Sequence, residues 1–198
     1  MTTTGRPRSF DESEVLDRAV DLFWRAGYRS TTTRQLESAL GISQSSLYNA
    51  FGSKQGLMNA ALDRYESMTA AALLEPLETS LQGLDAIGAF FDALTSWVTG
   101  EGRGGCMIIN LMADDGGNQA AGERTAAYRR RVRDALRDAL QRAAGAGEIG
   151  PAHIEVRADL LFGEVLGVNI AARGGAAADE VSRLVAGAHH LLDSWRRS

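Results

Sequence analysis

The chain has 198 residues, of which 44% are hydrophobic and 23% charged, and its formal net charge is −4. This composition excludes a disordered chain, and a single cysteine, Cys106, excludes an internal disulfide framework and a cysteine-paired zinc module. The sequence contains neither a secretory leader nor an apolar run long enough to span a bilayer, so we expect a soluble, cytoplasmic protein.

Apolar residues recur at helical spacing along almost the whole chain, whereas alternating strand patterns are nearly absent. The sequence therefore predicts an all-α protein of about nine helices. The first helix follows the cap sequence Phe10-Asp11-Glu12 and ends before Gly27. Breaks such as Glu75-Pro76 separate the remaining helices. These are predicted over residues 33–40, 44–50, 54–74, 84–99, 106–113, 119–144, 152–173 and 178–196.

Residues 27–58 contain two short predicted helices joined by a three-residue turn. Thr32 and Gln35 have the spacing of a capping box, and Gly41 can adopt the left-handed conformation that ends the first helix. Ser43 caps the second helix, whose Leu47 faces a small core. The spacing is typical of a helix-turn-helix, although an unspecialised helical hairpin has the same pattern.

Several polar side chains of this segment suit contact with DNA. The second helix exposes Gln44, Ser45, Tyr48 and Asn49, which suit base edges and phosphates. Lys54 lies in the first turn of the next helix, where free amides and the helix dipole would help an ammonium to hold a phosphate. Alternatively, Tyr48 closes the hairpin core and Lys54 is a solvated surface amine.

The run TTTRQLESALGISQSSLYNAFGSKQGL, preceded by an amphipathic helix that ends in LFWRAGY, closely resembles the DNA-binding region of TetR/AcrR-type transcriptional regulators. The resemblance covers about residues 10–60. It implies a nine-helix fold in which residues 1–53 form a three-helix DNA-binding domain. Residues 54–198 would form a larger helical domain for effector binding and dimerisation.

The resemblance implies that Gln44, Ser45 and Asn49 face base edges. Gln44 and Asn49 suit adenine, and the absence of Arg and Lys from this helix argues against bidentate reading of guanine there. Glu37 departs from the family pattern, which has a small residue at this position. It leaves the crossing angle of the two helices open.

Phosphates would be held by Thr32, Tyr48 and Lys54, and a basic N-terminal arm would extend the contact. The residues expected to bind DNA are Thr32, Arg34, Ser43, Gln44, Ser45, Tyr48, Asn49, Lys54, Arg6 and Arg8.

Two predicted C-terminal helices carry apolar stripes that could pair with a second copy as a four-helix bundle. Reading by one short helix per chain also favours a symmetric homodimer on palindromic double-stranded DNA. The stripes could instead pack only on each other, and a monomer would favour an adaptor that binds another protein. The expected interface residues are Leu161, Val165, Val168, Leu184, Ala188, Leu191 and Trp195.

Aromatic and methionine side chains beside isolated amides predict a mostly apolar pocket for a small-molecule effector. The effector would shift the population away from the DNA-binding state, with the helix from residue 54 to about 74 as the lever. The same side chains could instead form only the core. The expected pocket residues are Tyr65, Met68, Phe91, Trp97, Cys106, Met107, Asn110, Tyr128, Phe162 and Asn169.

Cys106 opens a predicted helix after a glycine-rich run that contains Arg103, a setting that can make a thiol reactive. The Gly-Cys-apolar-apolar-Asn run resembles a subgroup of TetR-like regulators, some of which sense oxidants or electrophiles through this cysteine. A redox switch is therefore one alternative, and a buried packing residue is another. A helical enzyme with Cys106 as nucleophile and a histidine base is a more remote alternative, since no third group orients the base. We expect no metal site, cofactor or enzymatic activity.

Overall fold

The computed structural model describes residues 10–100, 104–114 and 119–196, and every regular element in those ranges is a helix. This confirms the predicted all-α class. The chain divides into two compact units between Tyr65 and Glu66. The predicted domain boundary, between residues 53 and 54, lies earlier, at the start of the helix that crosses this division.

The N-terminal unit contains α1 (Glu12–Ala26), α2 (Thr33–Leu40), α3 (Gln44–Phe51) and the first part of α4 (Lys54–Thr69). The Asp11 carboxylate accepts hydrogen bonds from the amides of Ser13 and Glu14 and so begins α1 as predicted. Gly27 ends α1 at a φ of 78°, a backbone conformation that favours glycine.

The core of the N-terminal unit joins α1 to α4. The rings of Trp24 and Tyr65 meet edge to face with centroids 4.9 Å apart, and both side chains are fully buried. The same two helices are also joined by the Arg64 guanidinium, which donates two hydrogen bonds to the Asp17 carboxylate, at 2.8 and 3.1 Å. Leu36 and Leu47 bring α2 and α3 into the buried part of the same unit.

α4 continues without a break through a π-helical turn (Ala70–Leu74) into α5 (Glu75–Thr79). The Glu75 N–H bonds the Ala70 carbonyl, five residues earlier. Pro76 then lies in the first turn of α5, where a missing N–H would have no intrahelical partner anyway. The prediction that the helix ends at Glu75-Pro76 is therefore wrong. The wider π-helical turn allows Pro76 to occupy the first turn of α5 while the chain remains helical from α4 to α5.

The C-terminal unit continues with α6 (Leu84–Thr99), α7 (Met107–Asp114), α8 (Gln119–Gly145), α9 (Ile154–Arg173) and α10 (Ala178–Arg196). These helices surround one apolar core to which α6, α8, α9 and α10 all contribute. Its fully buried side chains include Ile87, Phe91, Leu136, Leu140, Leu161 and Val168. No helix among the described residues is long and apolar enough to cross a membrane.

Candidate nucleic-acid interface

The turn between α2 and α3 is fixed by caps at both of its ends. The Gln35 amide donates to the Thr32 hydroxyl at 3.3 Å, and the Gln35 side-chain oxygen accepts from the Thr32 amide at 2.7 Å. Gly41 ends α2 at a φ of 68° in the left-handed region. The Ser43 hydroxyl then accepts from the Ser46 amide at 3.2 Å and begins α3. The predicted capping box, turn and second cap are all confirmed.

Two further side chains hold this turn, through bonds that the sequence pattern does not predict. The Glu37 carboxylate accepts a hydrogen bond from the Gln44 amide, the first residue of α3, at 2.6 Å. The Arg18 guanidinium donates to the carbonyl of Leu40, the last residue of α2, at 3.3 Å. The family pattern has a small residue at position 37, so the acidic Glu37 is the one feature of the sequence that indicates the bond to Gln44.

One side of α3 carries an exposed face without charge. Gln44, Ser45, Tyr48 and Asn49 are all exposed, whereas Leu47 is buried. Their spacing of i, i+1, i+4 and i+5 places the four side chains on one side of the helix. Tyr48 keeps 38% of its surface exposed, so part of the side chain is accessible beside the three smaller polar residues. The structure therefore brings together the four side chains of α3 that the sequence assigns to DNA.

Lys54 links the start of α4 to the start of α2. Its ammonium donates a hydrogen bond to the Thr31 carbonyl and lies 4.4 Å from the centroid of the Tyr28 ring. Partial burial lowers the pKa of Lys54 from its ordinary value. The side chain is thus held next to Thr32, the N-cap of α2, rather than extending freely into solvent.

Three arginines are also expected to contact DNA. Arg34 is exposed in the first turn of α2. Arg6 and Arg8 lie outside the described residues.

Family models match most of the chain in two segments. The model for bacterial regulatory proteins of the tetR family matches residues 15–61, and that for the tetracyclin repressor-like C-terminal domain matches residues 83–188. The chain belongs to the TetR family.

Three known proteins are similar to this one along nearly the whole chain. The HTH-type transcriptional repressor ComR of Escherichia coli (strain K12) is 33% identical over 190 residues, which span 91% of this chain and 88% of ComR. A cysteine-substituted CifR, bound to 26-bp double-stranded operator DNA, has a TM-score of 0.83 and 26% identity, covering 96% of this chain and all of CifR. A TetR transcriptional regulator from Chloroflexus aurantiacus J-10-FL has a TM-score of 0.79 and 27% identity, covering 92% and 93% of the two chains.

The residues expected at a dimer interface of this TetR family protein lie mainly inside its C-terminal unit. Leu161, Val165, Val168 and Ala188 are buried in the apolar core of that unit. Their contacts are therefore already made within one chain, and this part of the expectation needs correction. The partly buried remainder, packed at the edge of the core or beside it, comprises Leu184, Leu191 and Trp195.

The outward face of α9 carries a different stripe. Val156, Leu160 and Ile170 are exposed, and Gly163 and Gly167 lie between them. A Cβ added to either glycine would meet no heavy atom within 4 Å. The spacing of four, three, four and three residues keeps all five positions on one face of the helix. From the sequence, Leu160, Gly163 and Gly167 belong to one apolar stripe together with the inward residues Leu161, Val165 and Val168, because both faces of α9 have helical periodicity.

The residues expected in an effector pocket are distributed over both units. Tyr65 belongs to the core of the N-terminal unit, against Trp24. Phe91 and Met107 are fully buried in the C-terminal unit. The partly buried ones are Met68, Trp97, Asn110, Tyr128 and Phe162.

Gly105, the residue before Cys106, packs against the backbone of Asn169. A Cβ added at Gly105 would lie 2.5 Å from the Asn169 carbonyl oxygen, so the Gly105 backbone packs directly on α9. Cys106 is 4% exposed, and its thiol lies close enough to the Tyr128 hydroxyl to influence it. Burial, and secondarily this contact, raise the pKa of Tyr128 well above its ordinary value.

Asn169 is the one described residue whose side chain contains a buried polar atom without a hydrogen-bond partner. Its amide nitrogen donates to the Val165 carbonyl at 2.7 Å, which fixes the orientation of the group, and its Oδ1 accepts no hydrogen bond. Such an atom is costly to bury and is therefore rare. No group of three or more metal-ligating side chains is found within the described ranges.

Proposed function

We propose that this TetR family protein is a sequence-specific transcriptional repressor that binds a palindromic operator as a homodimer in the cytoplasm. The observation that carries the proposal is the exposed, uncharged polar face of α3, held on a helix whose start is capped by Ser43 and bonded by Glu37. A rigid helix with amide and hydroxyl side chains on one face suits the edges of bases in the major groove. CifR, which is similar over nearly the whole chain, is bound to operator DNA in its structure.

Within this proposal, Gln44, Ser45 and Asn49 contact base edges. Phosphates are contacted by Tyr48, by Lys54 and by Arg34. The Thr32 hydroxyl already caps α2, so the exposed start of α2 brings backbone amides rather than a free hydroxyl to a phosphate. The Ser43 hydroxyl caps α3 and so supports the helix that reads the bases. Arg6 and Arg8 extend the basic contact.

The homodimer would form through the outward stripe of α9 that contains Val156, Leu160, Gly163, Gly167 and Ile170. Exposed large apolar side chains at regular spacing mark interaction surfaces, and the two glycines allow close backbone approach. α10 would complete a four-helix bundle, with Leu184, Leu191 and Trp195 at its margin. Symmetry then presents two copies of α3 to successive turns of the duplex.

Selection of binding sites from a library of random duplexes tests the proposal, with sedimentation of the complex as the second readout. We expect an inverted repeat whose half-sites are centred about 10 bp apart, bound by two chains. Recovery of no common sequence would contradict the proposal, as would one chain on an asymmetric site.

We further propose that a small effector binds in the C-terminal unit and lowers the affinity for DNA. The unpartnered Asn169 Oδ1 supports this, because a buried acceptor of fixed orientation suits a ligand that carries a hydrogen-bond donor. The effector class is then a small, mostly apolar molecule with a hydroxyl or N–H group. Cys106, Tyr128 and Phe162 would contribute to the same site.

A thermal-shift screen of small apolar alcohols, phenols and amides tests this second proposal. Molecules that raise the melting temperature of the wild-type protein are expected to release it from its selected duplex and to lose both effects with Asn169→Leu. The leucine removes the acceptor while keeping a similar volume. Equal effects on the variant would contradict a role for Asn169, and stabilising molecules that never change DNA affinity would contradict effector control.

A thiol switch at Cys106 is a second candidate, because the Gly-Cys run resembles a subgroup of TetR-like regulators, some of which sense oxidants or electrophiles through this cysteine, and because the thiol lies beside the polar Tyr128 hydroxyl. In that case an electrophile such as N-ethylmaleimide releases the wild-type protein from DNA and leaves Cys106→Ala bound. A thiol that is labelled only after denaturation would remove this candidate and leave Cys106 as a packing residue. We propose a regulator and not an enzyme in either case.

A further inference from the structure

Glu37 is an acidic side chain at the edge of the surface that we assign to DNA. Its carboxylate accepts from the Gln44 amide at 2.6 Å, and its own carbonyl accepts from the Gly41 amide at 3.0 Å. Glu37 therefore forms hydrogen bonds with both Gly41, the C-cap of α2, and Gln44, the first residue of α3. The three-residue turn is closed between these two bonds.

The Gln44 amide is one of the four at the start of α3 that have no partner within the helix. Ser43 satisfies the amide of Ser46, and Glu37 satisfies that of Gln44. Such amides, together with the positive end of the helix dipole, ordinarily attract a phosphate. In this protein a carboxylate occupies that position, so a phosphate approaching the start of α3 meets like charge.

We propose that Glu37 is a positioning residue for sequence recognition, which fixes Gln44 relative to α2 at a cost in overall DNA affinity. This inference rests on the proposed DNA-binding function. The hydrogen bond fixes the backbone position of Gln44. The negative charge of the carboxylate keeps phosphate away from the start of α3. The helix then gains its affinity from base edges along the face formed by Gln44, Ser45, Tyr48 and Asn49.

Two substitutions test the negative charge of Glu37 and the length of its side chain separately. Glu37→Gln keeps an oxygen acceptor at the same distance and removes the charge. Glu37→Asp keeps the charge and shortens the side chain by one methylene, so it no longer reaches the Gln44 amide. Glu180→Gln, on an exposed residue of α10, changes the net charge as Glu37→Gln does and serves as the matched control.

The experiment measures the dissociation constants of each protein for its selected duplex and for a scrambled duplex of equal length, at several salt concentrations. Glu37→Gln is expected to bind both duplexes about threefold to tenfold more tightly at low salt, with the ratio of the two constants unchanged. Glu37→Asp is expected to lower that ratio about tenfold without tighter binding to the scrambled duplex. Glu180→Gln is expected to match the wild-type protein.

An unchanged ratio in Glu37→Asp, with its fold confirmed by circular dichroism, would overturn the positioning role. A lowered ratio in Glu37→Gln would overturn it as well, because the acceptor is still present. If Glu37→Asp does not fold, Glu37→Ala takes its place: it removes the acceptor, so it is expected to lower the ratio, and an unchanged ratio would overturn the positioning role. Failure of the proposed function is distinguishable, because the wild-type protein would then prefer no duplex over its scrambled counterpart.

Discussion

The ammonium of Lys54 lies 4.4 Å from the centroid of the Tyr28 ring. The same nitrogen donates to the carbonyl of Thr31, which precedes the N-cap of α2. The cation is therefore held where the start of α2 and the start of α4 come together, a place that suits one phosphate of a bound duplex.

We predict that Lys54→Ala weakens binding to selected and scrambled duplexes alike. It should lower the slope of log K against log salt concentration by about one unit, because one phosphate contact is lost. Fluorescence anisotropy across a salt series measures the slope, and Lys54→Arg should retain it. A slope that stays the same in Lys54→Ala would remove Lys54 from the phosphate contacts.

The pKa of Lys54 gives a second prediction for the same residue. Because burial lowers this pKa, the folded protein loses the Lys54 proton at a lower pH than an unperturbed lysine, whose pKa is 10.5. DNA affinity should therefore decline as the pH rises toward that value. The free energy of unfolding should rise over the same pH range, because the unfolded chain binds more protons there than the folded protein does. Anisotropy between about pH 8 and about pH 10 tests the decline, which Lys54→Arg should not show.

Gln44 is expected to read an adenine. Its amide side chain can pair with the N6 and N7 edge of the base, and it is exposed at the first position of α3. Gln44→Ala should relax the preference for A·T at one position of each half-site by about 1–3 kcal/mol. Selection from random duplexes, carried out in parallel with the wild-type protein, measures the change. An identical motif for both proteins would show that Gln44 reads no base.

Leu160 tests the proposed dimer. Arginine at this exposed position of α9 would place a charge in the centre of the apolar stripe, so Leu160→Arg should sediment as a monomer and bind the selected duplex at least about tenfold more weakly. Leu81→Arg is the matched control, since Leu81 is 95% exposed in the loop before α6. A dimeric Leu160→Arg protein with normal DNA binding would place the interface elsewhere.

The sequence predicts the helices and the helix-turn-helix well because their signals are local. Thr32, Gly41 and Ser43 act on amides within a few residues of themselves, so their roles can be predicted from spacing alone. Pro76 shows the limit of such local signals. A proline normally ends a helix, and only the preceding π-helical turn, which has no clear signature in the sequence, allows the helix to continue.

Signals that depend on tertiary packing were harder to predict. Leu160 and Leu161 are adjacent apolar residues of α9, yet one is exposed and the other fully buried. Periodicity identifies both stripes and cannot say which one packs within the chain. Likewise, Glu37 was recognised as unusual, but its bond to Gln44 follows from the angle between α2 and α3, which no spacing rule gives.

Photocrosslinking from position 48 tests most directly whether the exposed face of α3 enters a DNA groove. The measurement replaces Tyr48 with p-benzoylphenylalanine and maps the crosslinked nucleotides on the selected duplex, with the same substitution at Leu81 as the control. We expect crosslinks from position 48 at two symmetry-related places about one helical turn apart, and none from position 81. Crosslinks from position 81, with none from position 48, would contradict it.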